Sequence, residues 1–507
     1  MVSLTIKLIL ILLSIPVRGT VCTPDGNGIR GVVVSDGYTC ALTDCRGRYC
    51  LEADSLARTI SVTVPSKYEI PLLPDGRPGI FRYIGSADTD FILERRKNRS
   101  DRFTLVAIAD PHIKNDHALA RFASESVPDV RRTMALHAAE GPVIGISLGD
   151  QLSDIMERSD DVKGLLQGFF YCIGNHDHNN AGGKSEYAVT DYYVHHFAPR
   201  DYSFDMGKVH FIVMDDIQYT GTQKDGVKIS YTCGLDDAQL EWLRQDISLV
   251  KDIRHKAVVL CIHAPLFGRF THKDEVKELL GRFSEAHVLS GHEHNINNVW
   301  VGDIWDHNIQ SIGGAWWYSN LSPNGSPLGY IVMGFDGPAM AFEYNKATTE
   351  SADFQMRVYS GDDSYGPDTP NPAEEDIKRR DKIYSWPDTL KGCFVARVWD
   401  GTRDWEVKFV QNGKETPMKM TETKFFDCAT AAYMTDVHGA PFGGSGAYRP
   451  KVDSFWTIPA PCGDPSMEKD WEIVATHREP SGEVKTYRCS HLMQDFTGFA
   501  TGSRYVQ

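Results

Sequence analysis

Asp110-Pro-His112, Gly149-Asp150, Gly174-Asn-His-Asp177, His263 and Gly291-His-Glu-His294 bring carboxylates, an amide and imidazoles into five short segments spread over about 185 residues. Donors of this kind, with no thiolate among the segments, suit Zn, Mn or Fe rather than a cysteine-rich structural zinc. Two cations held about 3.5 to 4 Å apart can clamp the attacking and leaving oxygens of an in-line displacement, and a carboxylate must bridge them. The aspartate of Gly149-Asp150 is the natural bridge. Metal binding lowers the pKa of water to about 7, so a hydroxide shared by two cations is a nucleophile at neutral pH. The expected reaction is phosphoester hydrolysis by that hydroxide, without a covalent intermediate. Charge building on the phosphoryl oxygens would be met by the metals, His176 and the Asn175 amide. With an ordinary pKa of about 6.5, His176 can also protonate the departing alkoxide. Each segment alone occurs by chance in many chains of this length; five in register do not.

Something must hold these segments together. Each follows a short apolar run rich in Val, Ile and Phe: 103–109, 143–148, 169–173, 257–262 and 287–290. Little alternation is visible in them, as expected of strands covered on both faces. Ligands collect outside the carboxyl ends of such strands, so the five segments are expected as loops along one sheet edge. His178, His195 and His196 lie near the segments but match none of them, and are expected at the surface or behind the ligands. His210 falls inside a predicted strand and is expected to be structural. Trp316, Trp317 and Tyr318 follow the last segment. They are expected either to wall the substrate site or to pack in the core.

The order Asp-x-His, Gly-Asp, Gly-Asn-His-Asp, His, Gly-His-x-His resembles that of the calcineurin-like metallophosphoesterases, over residues 103 to about 345. Tyr202 to Asp215 resembles that family's strand pair, and Leu235 to Leu243 its following helix. The resemblance implies a four-layer α/β/β/α sandwich. It implies two divalent or trivalent metal ions, one held by Asp110, His112 and His294, the other by Asn175, His263 and His292, with Asp150 shared. It also implies that His176 faces the phosphate, with Asp177 orienting its ring. Two departures narrow the branch. No Tyr follows Asp150 closely and the first segment has His112, unlike purple acid phosphatases; no Arg pair flanks His176, unlike the protein phosphatases.

The flanks add two β-rich regions, as 507 residues lead one to expect. Thr43-Asp44, Gly47 and Tyr49 resemble transthyretin-like β-sandwich modules, with a tight Asp-Cys-Arg-Gly turn joining two strands. That module is expected over 20–98, the catalytic domain over 99–347, a linker over 348–380 and a C-terminal β-rich domain over 381–507. Within the last, 392–398, 405–411 and 471–476 alternate as strands, with hairpin turns at 411–414 and 480–483. The layout is similar to that of secreted bacterial members of the family. Lys7 and the apolar stretch Leu8 to Ile15 suit a secretory leader ending at Gly19, which predicts an extracytoplasmic protein. Cys22 offers a weak lipidation signal, the one expected link to a membrane. Export would permit disulfides among Cys22, Cys40, Cys45 and Cys50, while Cys172 and Cys261 are expected in the core.

The net charge of −15, from 53 basic and 68 acidic residues, disfavours a partner such as long nucleic acid, whose binding relies on Lys and Arg clusters. A small or lipid-linked phosphoester is the expected substrate, hydrolysed as a diester or a monoester. The alternative is a catalytically silent envelope protein that binds glycan or protein through its β domains; an intact ligand set argues against it.

Overall fold

The computed structural model describes residues 14–97, 100–178, 185–219, 231–317, 319–322, 324–364, 385–433, 451–452 and 454–493. Contacts divide the chain into two compact units, one of Met1–Glu293, Asn298–Asn308 and Gly334–Ala339, the other of His294–Asn297, Ile309–Met333 and Met340–Gln507.

The first unit opens with seven strands, β1 (Ile15–Cys22), β2 (Val33–Ser35), β3 (Cys40–Leu42), β4 (Arg48–Ala53), β5 (Thr59–Val62), β6 (Phe81–Tyr83) and β7 (Phe91–Ile92). They form two sheets, ordered β4-β1-β7 and β3-β2-β5-β6. The expected turn before β4 is present: Asp44 Oδ1 accepts from the amides of Arg46 at 2.8 Å and Arg48 at 2.9 Å, and Gly47 takes φ 76°. The expected leader boundary after Gly19 falls inside β1. Ile15 to Thr20 are paired with β4 in antiparallel register, and Val17 is buried. Cleavage at 19, or an N-terminal lipid on Cys22, would therefore strip a paired strand from this sheet; residues 1–13 lie outside the described residues. The expected bridges near the N-terminus are also absent, since all eleven cysteines are free thiols. Cys22 ends β1, Cys50 on β4 faces Arg18, and Cys40 starts a strand of the other sheet. Closeness in sequence was undone by strand register.

Beyond them come β8 (Arg102–Ile108), β9 (Val143–Leu148) and β10 (Phe169–Cys172), parallel strands in a sheet that runs β10-β9-β8-β19, where β19 is Gly329–Asp336. A second sheet holds β11 (Tyr202–Met206), β12 (Val209–Val213), β15 (Ala257–Cys261), β16 (Glu285–Ser290), β17 (Asn297–Val301) and β18 (Ile304–Asn308), in the order β11-β12-β15-β16-β18-β17. Between β12 and β15 lies a ribbon of β13 (Ile217–Tyr219) and β14 (Tyr231–Cys233). Each of the five expected strand runs is a strand. Rings from both sheets interleave: Phe170 stacks on Phe204 at 3.7 Å, and Phe103 meets Phe211 at 5.9 Å and Phe335 at 5.1 Å. The helix Val127–Ala138 packs on β8 and β9. The helix Asp237–Leu249, capped by Asp236 and Gln239, lays Leu240, Leu243 and Ile247 on the other sheet against Ile212, Val258 and Leu260. The result is the expected α/β/β/α layering. Such faces bury apolar area at roughly 25 cal/mol per Å².

One polar cluster lies within this packing. His210 donates from one ring nitrogen to Asp205 Oδ1 and from the other to Asp246 Oδ2, both at 2.8 Å, and it is structural as expected. Cys172 and Cys261 are buried, also as expected.

The second unit is β-rich, as expected of the C-terminal part. It contains β20 (Ala339–Ala347), β21 (Met356–Ser360), β22 (Cys393–Val398), β23 (Glu406–Gln411), β24 (Lys414–Pro417), β25 (Lys419–Met420), β26 (Phe455–Pro459), β27 (Trp471–Arg478) and β28 (Val484–Cys489). Sheets β21-β22-β26-β25 and β24-β23-β27-β28 enclose Phe394, Trp405, Phe409, Trp456, Trp471 and Ile473. Asn412 (φ 50°) and Gly413 (φ 75°) make the left-handed pair that the β23–β24 hairpin needs. The expected linker differs in part, because β21 within it pairs with β22; residues 365–380 of it lie outside the described residues.

Candidate metal centre

The loops leaving β8, β9, β10, β15 and β16 meet at one end of the two sheets of the first unit. Asp110, His112, Asp150 and His263 are all buried there. His112 Nε2 lies 3.4 Å and His263 Nε2 3.3 Å from the same atom, Asp150 Oδ2. Asn175 Oδ1 is 3.1 Å and His292 Nδ1 3.2 Å from His263 Nε2. Seven of the predicted site residues are thus brought together: Asp110, His112, Asp150, Asn175, His176, His263 and His292. Among the described residues of the first unit, two sets offer donor atoms close enough for one cation, His112–Asp150–His176 and Asp150–His263–His292. His294 belongs to the second unit, where it is buried with its ring 5.0 Å from that of Trp316.

Backbone geometry is spent on this convergence. Asp110, His112, Asp150, Asp154, His292 and His294 all take positive φ, between 47° and 67°. Non-glycine residues held there cost roughly 1–3 kcal/mol each and cluster at functional sites. Glycines make the close approach possible: a Cβ on Gly149 would sit 2.5 Å from His263 Nδ1, and one on Gly291 2.5 Å from Asp110 Oδ2.

The donor set fits cations. His263 Nδ1 donates to the Leu148 carbonyl at 2.8 Å, which directs Nε2 toward Asp150 as the atom that a cation would take. His112 Nδ1 is likewise engaged with Ser153 Oγ at 2.9 Å, freeing its Nε2. Asp110 accepts from the His292 amide through both oxygens, at 3.2 and 3.1 Å. Burial alone would raise the Asp150 carboxyl, but His263, His176 and His112 around it hold it well below the usual range. A shared carboxylate oxygen flanked by imidazoles from two loops is what two adjacent cations require, and Asp110, His112, Asp150, Asn175, His263 and His292 would hold them here.

One predicted role is corrected. Asp177 does not orient His176. Its oxygens accept from the amides of Leu152 and Gly174, both at 3.0 Å, so it closes the loop from within. The partner of the His176 ring is Asp154, with Oδ2 2.9 Å from Nδ1, while the His176 amide donates to Asp150 Oδ1 at 2.8 Å. Burial disfavours a charged His176, but Asp150 and then Asp154 outweigh it and push its pKa up to about 9. Asp154→Asn is therefore expected to lower kcat about 10- to 100-fold with metal content unchanged, as measured by steady-state kinetics and elemental analysis. Asp177→Asn should instead lower Tm; equal kinetic effects of the two variants would reject this division.

The aromatic wall is corrected too. Trp317 is fully buried and Trp316 packs partly buried beside Ala315 and Leu321, so core packing holds for the first; Tyr318 lies outside the described residues. Tyr231, which carries no sequence signal, meets the His292 ring edge-on at 6.3 Å. Of the nearby histidines, His195 is exposed and His178 is buried behind the ligand loop, donating from Nδ1 to the Gly174 carbonyl at 2.8 Å, each in one of the two expected places.

Three family descriptions match successive parts of the chain. Residues 103–295 match the calcineurin-like phosphoesterase family, residues 15–96 the "N terminal of Calcineurin-like phosphoesterase" and residues 306–456 the "C terminal of Calcineurin-like phosphoesterase". The chain carries a calcineurin-like phosphoesterase domain with both regions that accompany it, and it is a metal-dependent phosphoesterase. Among curated proteins, none matches it. Similar solved structures include a dimetal phosphatase from Danio rerio, 12% identical over 48% of this chain and 96% of that one, TM-score 0.33. A putative 5'-nucleotidase from Staphylococcus aureus is 14% identical over 56% and 59%, TM-score 0.32. The purple acid phosphatase PPD1 from yellow lupin (Lupinus luteus) is 11% identical over 63% and 67%, TM-score 0.35.

Proposed function

We propose that this protein is a binuclear hydrolase of small or lipid-linked phosphoesters, acting outside the cytoplasm, with a transthyretin-like module ahead of its catalytic domain. One observation carries the binuclear assignment: His112 and His263 approach a single oxygen of Asp150 from separate loops, at 3.4 and 3.3 Å. Bound cations would supply an activated water and charge neutralisation at the phosphoryl group. The chain's own contribution is positional. Asp150, fixed by the His176 amide, stands between two ligand sets. His176, its ring held by Asp154 and partly exposed, has Nε2 available to stabilise a phosphoryl oxygen and hand a proton to the leaving oxygen. The net charge of −15 favours a compact substrate over a polyanion. Export rests on the apolar N-terminal stretch, with the cut placed before β1 rather than within it.

The test is elemental analysis of the purified chain together with hydrolysis of bis-p-nitrophenyl phosphate and p-nitrophenyl phosphate with Mn or Zn supplied. Two metals per chain and diester turnover, both lost in Asp150→Asn, are the expected result. Faster monoester turnover would move the assignment to a phosphatase. Absence of metal and of turnover on either substrate would overturn it in favour of a binding protein.

A further inference from the structure

Just beyond β12 lie two adjacent carboxylates, Asp215 and Asp216, both fully buried, which the chemistry above does not use. They face opposite loops. Asp216 accepts from the His263 amide at 2.8 Å through Oδ1 and from the Ala264 amide at 2.9 Å through Oδ2. Asp215 Oδ2 takes Arg200 Nε at 2.9 Å and lies 3.6 Å from His178 Nε2. The other nitrogen of that ring, Nδ1, donates to the Gly174 carbonyl, immediately before Asn175. Asp215 is itself fixed by the Ile217 amide at 3.0 Å through Oδ1. One strand end thus grips two loops, and those loops present Asn175 and His263, whose donor atoms lie 3.1 Å apart.

Burying two neighbouring carboxylates is expensive unless each is fully engaged. Here every oxygen has a partner: both oxygens of Asp216 and Oδ2 of Asp215 engage other segments, and Oδ1 of Asp215 fixes its own turn. Surplus packing could have been met by apolar residues at lower cost, so the pair points to a demand for placement. Groups that hold ligands from behind commonly change metal affinity by about 10- to 100-fold when removed.

We infer that Asp215 and Asp216, with His178 as the link, are positioning residues for the Asn175/His263 half of the centre, and that they set the affinity of that half alone. The inference rests on the binuclear assignment above. Asp110 and His112 sit on the β8 loop, whereas the bonds of these three residues above run to the loops after β10 and β15, so the cation of the β8 loop should respond least.

The test is titration of the metal-free full chain with Co2+, followed by visible absorption and calorimetry, for wild type, His178→Leu and His178→Asn. Wild type should take up two Co2+. His178→Leu should bind the first with unchanged affinity and the second at least about tenfold more weakly, with an altered ligand-field spectrum. His178→Asn can keep a donor near the Nδ1 position and should fall between the two; it also serves if the leucine variant does not fold. Two unchanged affinities in a folded variant would overturn the inference and leave the binuclear assignment standing, as would equal weakening of both sites. Fewer than two Co2+ in wild type would overturn both.

Discussion

Gly174→Ala is expected to abolish phosphoester turnover by about a hundredfold or more while leaving the sheets intact. Gly174 has φ −112° and ψ 175°, an extended conformation that alanine adopts freely, so no backbone strain enters. The effect is steric. A Cβ at this position would overlap the carboxylate and backbone nitrogen of Asp150. Both the Gly174 loop and Asp150 are hydrogen-bonded in place, the former to Asp177 and His178, the latter to His176. The bridging carboxylate must therefore move, and displacements of about 1 Å in catalytic groups typically cost on the order of a hundredfold. The measurement is kcat/KM together with metals per chain and far-UV circular dichroism. Wild-type kcat/KM in a folded Gly174→Ala protein would show that Asp150 does not have to stand where it does.

His210→Leu should destabilise the first unit by roughly 3 kcal/mol, because it leaves the buried Asp246 carboxylate without its imidazolium, while the partly buried Asp205 keeps Lys256. Burial works against charge on His210, yet Asp246 and Asp205 raise its pKa to about 9. A folded pKa above the unfolded value of about 6.5 gives stability that is fully present below about 6.5 and lost as pH climbs to about 9. The order of magnitude is about 3 kcal/mol across that window. Wild type should thus lose resistance to urea between about pH 6.5 and 9, whereas His210→Leu should be nearly flat there. Parallel pH profiles for the two proteins would contradict the ion-pair account.

The catalytic fold was legible because its strands are buried on both faces: runs such as Val143–Leu148 and Ala257–Cys261 have no polar face to confuse with a helix. The candidate ligands were legible because each segment that carries them follows such a run. Asp154 was not, since it follows Asp150 by four residues in an unremarkable stretch and reaches His176 only through a turn at φ 60°. Nor was the bracing role of Asp215 and Asp216, which depends on where β12 ends relative to two loops remote in sequence. The tryptophans were left open between wall and core because residue type says nothing of direction: Trp317 is interior, Trp316 half so. The apolar stretch near the N-terminus ran without a break into β1, and composition alone could not divide leader from strand.

The parallel order of β8, β9, β10, β15 and β16 also has a temporal consequence. The amide of His292 bonds a carboxylate 182 positions earlier in the chain. During synthesis, the first aspartate and histidine are exposed long before their partners exist, and each loop closure across such a span must be met by sheet packing. Occupancy of the centre is thus a late event, available only to a chain whose two sheets have already docked. Ions present during translation meet isolated pairs of donors too sparse to compete, and the finished fold does the selecting.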